Sequence, residues 1–420
     1  MREGVVHVIG AGIAGLAAAV RLAQSGVKTI VHEAAAHAGG RCRSYFDAVL
    51  GMRIDNGNHI VLSGNHATLA YLECIGAGEA LRGPDHAVFD FIDLAANERW
   101  RLAPGDGPIP WWIFDAQRRI PATKPRDFLA AMRLLWAGGE KRVSDRMACE
   151  GPLYERLWRP LLLAALNTEP CEASAVLAGA VLRESLAKGG RACRPLVAWQ
   201  GLSEAFVDPA VRFLTEKGSS IHYGQRLKSM RFEKHMVTQL NFGDASSEVS
   251  KGDGVIFAVP PLVANALVPD LKTPVAQRAI VNAHFRVAPP AGQAPITGVI
   301  NGTVEWVFCF PQRISITISA ADRLLDVARE TLAARLWDEV AAVTGLKEDL
   351  PPWQIIKERR ATFAALPSEN ARRPPCATQW NNLMLAGDWT QTGLPATIEG
   401  AIRSGNRAAE GWIGQTRGMS

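Results

Sequence analysis

The feature that most constrains this chain is a glycine triplet, Gly10-x-Gly12-x-x-Gly15, set between an apolar run and a helical one. Val5-Val6-His7-Val8-Ile9 has the nearly continuous apolar character of a strand buried on both faces. Ile13 to Gln24 follows with helical spacing until Gly26 stops it, and Val27 to Glu33 reads as a second strand. Together these pieces form a βαβ unit, the opening of a doubly wound parallel sheet. The glycines permit a tight turn, close approach of a pyrophosphate and helix-to-strand packing, and the helix N-terminus turns its free N–H groups toward the anion. Gly10, Gly12, Ala14 and Gly15 are therefore candidate dinucleotide contacts. With 38 glycines in 420 residues, such a triplet arises by chance about 0.3 times per chain, so its setting carries the inference. Glu33 supplies that setting, at the end of the second strand, where a carboxylate accepts bonds from ribose hydroxyls.

Directly afterwards comes Gly39-Gly40-Arg41-Cys42-Arg43-Ser44. The glycine pair brings backbone close to phosphate, and Arg41 can neutralise it. A nicotinamide enzyme has no need of this second element. Farther on, Pro104 to Pro125 is rich in proline and tryptophan, and Phe128 to Trp136, Leu153 to Leu166 and Ala175 to Ala187 have helical spacing. The stretch 86–200 is thus expected to be a helical insertion. Strands resume at Ser220 to Tyr223, Leu227 to Phe232 and Val237 to Phe242, and a further strand from Gly254 ends at Pro260-Pro261. Beyond it, β-rich pieces (Ala279 to Val287, Val304 to Phe310, Ile314 to Ser319) precede one long predicted helix, Asp322 to Thr344, before Leu383 to Ala386 rejoins the first sheet.

The Gly39-Gly40-Arg41 motif, the segment Asp55-Asn56-Gly57-Asn58-His59, and Leu385-Ala386-Gly387-Asp388 with Pro395 to Gly405 resemble, in order, three elements of the flavin amine oxidase and carotenoid desaturase superfamily. The resemblance implies FAD as the cofactor, with Asp388 beside Gly387 on the ribityl chain. It further implies that the helix opening at Thr397 and Ile398 aims its N-terminus at the flavin pyrimidine, where its dipole favours the charge of reduced flavin. A backbone group near Leu227 is implied to meet the adenine. The expected fold is α/β, a doubly wound Rossmann-type FAD-binding domain with an interleaved mixed α+β substrate domain. The first is expected over 1–85, 201–260 and 377–420, and the second over 86–200 and 261–376. FAD attachment is expected to be non-covalent, because Gln391-Thr392-Gly393 stands where covalent members place a cysteine.

Amine oxidases of this superfamily bracket the flavin with aromatic side chains, one a tyrosine beside the last motif. Here that position reads Leu394-Pro395-Ala396, and the last of only four tyrosines is Tyr223, so a hydrocarbon substrate is expected over an amine. Leu157-Trp158-Arg159-Pro160-Leu161 through Thr168, Val281 to Arg286, and Gly387-Asp388-Trp389-Thr390 through Glu399 resemble the bacterial hydroxysqualene dehydroxylases of hopanoid biosynthesis. That resemblance implies reductive loss of an allylic hydroxyl from hydroxysqualene. The departing oxygen needs a proton, so a general acid is expected near the flavin. His284 is the first candidate, followed by Glu169 and His59. Two other readings are a carotenoid-type desaturase or isomerase, and a flavin-binding scaffold without turnover.

Composition narrows the partners. The net charge of +5 comes without a basic run that would track phosphates, so nucleic acid is not expected. Seven scattered cysteines without a CxxC pair suit free thiols in a reducing cytoplasm, and no metal site is expected. No stretch of about 20 apolar residues suggests a spanning helix. Pro110-Trp111-Trp112-Ile113-Phe114, the stripe Phe128-Leu129-x-x-Met132-x-x-Leu135-Trp136, and basic neighbours Arg118, Arg119, Lys124, Arg126, Arg133, Lys141 and Arg142 instead suit peripheral attachment to the cytoplasmic membrane through roughly 108–142.

Overall fold

A computed structural model describes residues 4–418. Val5–Ile9, Ile13–Gln24 and Lys28–His32 form the strand, helix and strand expected of the glycine-rich opening. Their sheet is five-stranded and wholly parallel, in the order Ser220–His222, Lys28–His32, Val5–Ile9, Gly254–Phe257, Leu383–Leu385. Three distant stretches of chain thus meet in one sheet. The helix Ile13–Gln24 is apolar almost all round because it is covered twice, by this sheet and by the C-terminal helix Ile398–Gly418. At Gly405 a Cβ would lie 2.2 Å from the Ala14 carbonyl, so only glycine lets the two helices approach this closely.

A second sheet has seven strands, in the order Trp353–Phe363, Gln277–Phe285, Arg313–Ile318, Trp306–Phe310, Ile296–Ile300, Phe89–Asp93, Glu98–Leu102. Adjacent pairs are antiparallel except Ile296–Ile300 with Phe89–Asp93. One face carries Val281, Ala283, Val307, Ile314, Ile316 and Ile318 against the helix Arg329–Thr344. The other carries Phe91, Trp306, Phe308 and Phe310 toward a helical layer that includes Leu129–Leu135, Arg159–Leu166 and Ala175–Glu184. The alternation is that of a sheet buried on both faces.

Several expectations are corrected. The stretch 86–200 is not simply helical, because it opens with the hairpin Phe89–Asp93 and Glu98–Leu102, which extends the edge of the seven-stranded sheet. The long helix predicted over Asp322 to Thr344 is two pieces, Ala321–Leu324 and Arg329–Thr344. Lys357 Nζ donates to the Leu325 and Val327 carbonyls in the gap, so groups freed by the break are satisfied from a neighbouring strand. Leu153 to Leu166 contains a π-helical turn, Tyr154–Trp158, just ahead of Pro160, whose ring nitrogen cannot donate to the preceding turn. Pro261 begins the helix Pro261–Leu267, consistent with the fixed φ of proline at a first helical position.

Candidate functional site

The two glycine motifs form one cradle. Gly10 has φ +104°, and a Cβ there would lie 2.5 Å from the Ala258 carbonyl. A Cβ on Gly15 would lie 1.9 Å from the Gly10 carbonyl, so that position serves packing. Gly12 differs: its Cβ would meet nothing within 4 Å. Gly39 donates to the Ala11 carbonyl at 2.8 Å and bridges to Gly12. Gly40 closes against the Gly12 Cα. The helix behind them has no side-chain cap, so the N–H groups of Ile13, Ala14 and Gly15 face the cradle without a capping acceptor. Open space before an uncapped helix N-terminus, with two glycine backbones at its edge, fits a pyrophosphate.

Glu33 lies at one end of this cradle, accepting from Ala11 N at 2.7 Å and Ala35 N at 2.8 Å. Each carboxylate oxygen can accept a further bond, as ribose hydroxyls require. Gln225 N donates to the Glu33 carbonyl at 2.8 Å, and Gly224 N to that of Ala35, which brings the loop holding buried Leu227 to the same end.

At the other end, Arg41 donates to Asp388 Oδ2 at 2.7 Å and to the Ala361 carbonyl. Its side chain is nevertheless 46% exposed, as a group lining a cleft would be. Gly387 has φ +151°, and its N–H is held by the Ser404 hydroxyl at 2.8 Å. Thr397 caps the C-terminal helix by accepting from Gly400 N at 3.0 Å, while Ile398 begins it. Glu399 accepts from Ala67 N, Thr68 N and the Thr68 hydroxyl, fixing the helix's direction. Sequence reasoning missed Arg373, which is buried, donates to the Asp388 carbonyl at 3.0 Å and Thr392 at 2.7 Å, and stacks over Phe363. A lone arginine beside Arg372 and ahead of two prolines gives no local signal of burial.

The segment Asp55 to His59 seats the cradle on the seven-stranded sheet. Asp55 Oδ1 accepts from Ser44 Oγ at 2.7 Å and Leu202 N at 2.8 Å, while Oδ2 faces Arg313 at 3.4 Å. Asn58 donates to Thr317 Oγ1 at 3.1 Å. His59 lines a small cleft with Phe308 and Phe310 and makes no protein hydrogen bond among the described residues. Burial pushes its imidazole down to about 4, with Arg41 adding to the effect and Asp55 opposing it.

His284 is fully buried on the strand Gln277–Phe285. A carbonyl can only accept, so Nε2 donates to the Asp55 carbonyl at 3.0 Å, leaving Nδ1 to accept from the Ser315 hydroxyl at 2.7 Å. Burial, then Arg313, push it down to about 3. Both ring nitrogens are engaged by the protein at a fully buried site, an arrangement that speaks against His284 as the expected general acid. Glu169 is half-exposed in a 2.8 Å ion pair with Arg159.

Sequence reasoning also missed Glu305, just ahead of the strand Trp306–Phe310. Its carboxylate accepts from Ser319 N at 2.8 Å, and desolvation pushes it up to about 7 against the Ser319 hydrogen bonds and, after them, the pull of Arg323 and Arg159. The layer facing the seven-stranded sheet brings aromatic side chains together. Phe91 stacks on Trp100 and meets Trp306 edge-on, while Phe128 touches both Trp112 and Trp158 edge-on. The buried indole N–H groups of Trp100, Trp158 and Trp306 have no protein acceptor among the described residues.

The surface segment is split between core and solvent. Trp112 is buried, which corrects its expected part in membrane attachment, since its ring packs on Phe128. Trp111 is 69% exposed and Trp136 74%, and Ile109, Phe114, Leu129 and Met132 are exposed with them. A cleft of about 410 Å³ opens among Ile109, Trp111, Trp112 and Arg118.

The family model of flavin containing amine oxidoreductases matches residues 13–411. A hydroxysqualene dehydroxylase of Rhodopseudomonas palustris is 58% identical over 407 residues, covering 96% of this chain and 97% of that one. A probable zeta-carotene desaturase of Synechococcus elongatus is 23% identical, covering 97% of this chain and 98% of that one. A double mutant of putrescine oxidase superposes with a TM-score of 0.70 at 17% identity, over 97% of this chain and 98% of that one.

Proposed function

Because the chain belongs to the flavin containing amine oxidoreductase family, we propose that it is an FAD-dependent enzyme that reduces hydroxysqualene to squalene. The observation that carries this reading is 58% identity over nearly the whole length to a hydroxysqualene dehydroxylase, against 23% to a carotene desaturase. Gly12, Gly39, Gly40 and the first turn of Ile13–Gln24 would hold the pyrophosphate, Glu33 the ribose, Leu227 the adenine, and Arg41, Asp388 and the Thr397–Ile398 helix start the flavin half. When bound in reduced form, FAD supplies the hydride that replaces the hydroxyl. The chain's own residues exclude water with the aromatic layer of Phe91, Trp100, Trp158, Trp306, Phe308 and Phe310. Such an apolar layer suits a hydrocarbon chain and rejects a charged amine, whose desolvation there would lack a partner.

A substrate of this kind resides in lipid. No helix among the described residues is long and apolar enough to cross a membrane. We place the enzyme peripherally on the cytoplasmic face of the membrane, with Ile109, Trp111, Phe114, Leu129, Met132 and Trp136 in the interface and the neighbouring arginines and lysines over anionic headgroups. Its squalene would feed hopanoid biosynthesis. The test is anaerobic: holoenzyme reduced by light is mixed with hydroxysqualene. Return of the oxidised flavin spectrum together with squalene supports the reading. A silent flavin sinks it, and bleaching of oxidised enzyme by a polyene would favour a desaturase instead.

A further inference from the structure

An allylic alcohol of this class carries one polar group on a hydrocarbon chain, and a site that takes the chain into an apolar layer must offer that oxygen a partner. A small cleft joins the segment Asp55 to His59 to the aromatic layer. Asp55, Asn58 and His59 line it together with Leu202, Phe308 and Phe310, and its free space of about 10 Å³ is that of one water-sized group. Phe308 and Phe310 belong to the layer that faces the seven-stranded sheet. The other wall is tied to the cofactor cradle. Asp55 accepts from Ser44 Oγ at 2.7 Å, and Asn56 Nδ2 donates to the Arg41 carbonyl at 3.5 Å. Arg41 in turn pairs with Asp388 at 2.7 Å, and its charge acts on the His59 ring.

The polar side chains of this cleft differ in what they have left to give. Asp55 is fully engaged, with Oδ1 accepting from Ser44 Oγ and Leu202 N and Oδ2 facing Arg313 at 3.4 Å. Asn58 Nδ2 donates to the Ile316 carbonyl at 3.3 Å and to Thr317 Oγ1 at 3.1 Å. A carbonyl can only accept, so the amide is fixed in this orientation, and its Oδ1 is buried without a partner among the described residues. His59 is half-buried and makes no hydrogen bond among the described residues. With burial lowering it to about 4, its ring carries a single N–H near neutrality. The wall thus offers what a hydroxyl needs, a donor for its oxygen and an acceptor for its hydrogen.

We propose that His59 binds the hydroxyl oxygen of the allylic alcohol through its ring N–H, where the aromatic layer meets the flavin cradle. The inference rests on the dehydroxylase reading and names the side chain that tells substrate from product. The alcohol satisfies the His59 N–H. Squalene has no oxygen and leaves it unpaired, so the same cleft favours entry of the substrate and release of the product. A neutral hydrogen bond gained by a group otherwise left unpaired corresponds to roughly tenfold in affinity.

The test compares hydroxysqualene and squalene as ligands of the oxidised holoenzyme, titrated in detergent micelles and read from the shift of the flavin absorption bands. Oxidised flavin has no hydride to give, so binding is seen without turnover. Wild type should bind the alcohol about tenfold more tightly than the hydrocarbon, and His59→Phe should bring the two within about twofold. Squalene affinity, FAD content and melting temperature should stay unchanged in that variant. His59→Gln keeps an N–H donor and should retain most of the preference, and with His59→Leu it carries the comparison if the Phe variant folds poorly. A preference that survives in His59→Phe and His59→Leu, or a wild type that binds both ligands alike, overturns the hydroxyl site. Equal weakening toward both ligands also overturns it, since a structural role has that signature. The dehydroxylase reading is judged separately: light-reduced wild type that hydroxysqualene never reoxidises removes that reading, whatever the binding preference.

Discussion

Asp388 and Glu33 both carry charge into the cofactor cradle, and their partners differ. Asp388 is paired with Arg41 at 2.7 Å, so Asp388→Ala removes an acceptor and leaves a guanidinium without its counter-charge. Glu33 is held by two backbone N–H groups of its own loop, so Glu33→Ala loses a ribose acceptor and loosens the turn at Ala11. Each should weaken FAD retention by about 1–3 kcal/mol, read from flavin released on dilution; full retention in both variants would refute the cradle assignment. His284 behaves oppositely. His284→Ala strands the Ser315 hydroxyl and opens a cavity at a fully buried site, and should lower stability by about 2–4 kcal/mol in denaturant melts while FAD stays bound. The triplet Gly10, Gly12, Gly15 and the carboxylate Glu33 were legible in sequence because a local turn needs those residue types at that spacing. The burial of Arg373 and the partner of Trp389 were not, because they are set by chain that arrives from elsewhere: Trp389 Nε1 finds its acceptor at Val259, 130 residues away.

At the level of elements, the helix Ile13–Gln24 separates packing glycines from binding ones. Gly12 has extended backbone, φ −70° and ψ 173°, and room for a Cβ, so Gly12→Val should leave the apo-protein folded, at a cost of about 1 kcal/mol or less, and abolish yellow colour on reconstitution. Gly15→Val should instead fail in folding, since its Cβ would collide with the Gly10 carbonyl at 1.9 Å. Equal FAD uptake by Gly12→Val and wild type would contradict the phosphate site. The segment Trp111–Phe114 and the helix Leu129–Leu135 share a divided pattern: Trp112, Ile113, Ala131 and Leu134 are buried while Trp111, Phe114, Leu129 and Met132 face out. Trp111→Ser with Trp136→Ser should therefore cut co-sedimentation with anionic liposomes without changing the melting temperature. Equal pelleting by both proteins, or none by either, counts against the membrane surface.

Across the whole molecule, buried titrating groups give stability a definite pH dependence. His32 and His59 are lowered to about 4 and His284 to about 3, each chiefly by burial. Their usual value is about 6.5, so below that pH the unfolded chain takes up protons that the folded one refuses. Stability is fully present above about 6.5 and falls toward 4, by up to about 1.4 kcal/mol per pH unit for each imidazole. Glu305 runs the other way, since its folded value is raised to about 7. Its contribution is intact below about 4.5 and is lost as pH rises through 7, on the order of 3 kcal/mol at most. Glu305→Gln should thus be more stable than wild type at pH 8 and indistinguishable from it near pH 4, with a steeper acid decline; melts across that range measure it, and a pH-independent difference would contradict the assignment of a raised carboxyl.

The sequence by itself determined the βαβ opening, the order of the three flavin motifs and the return of the chain to the first sheet at Leu383–Leu385. These are short-range matters, in which glycine φ angles, strand apolarity and helix spacing act within a few residues of one another. Only the tertiary structure decided that Phe89–Asp93 and Glu98–Leu102 complete the edge of a sheet formed mainly from residues 277–363, that His284 is a sealed imidazole, and that the Glu305 carboxylate is held by Ser319 N and not by an ion pair among the described residues. The physical reason is that strand pairing, desolvation and ion pairing depend on groups hundreds of residues apart along the chain, as when Arg41 meets Asp388 or His284 meets Asp55, and no local pattern records which distant group will be there.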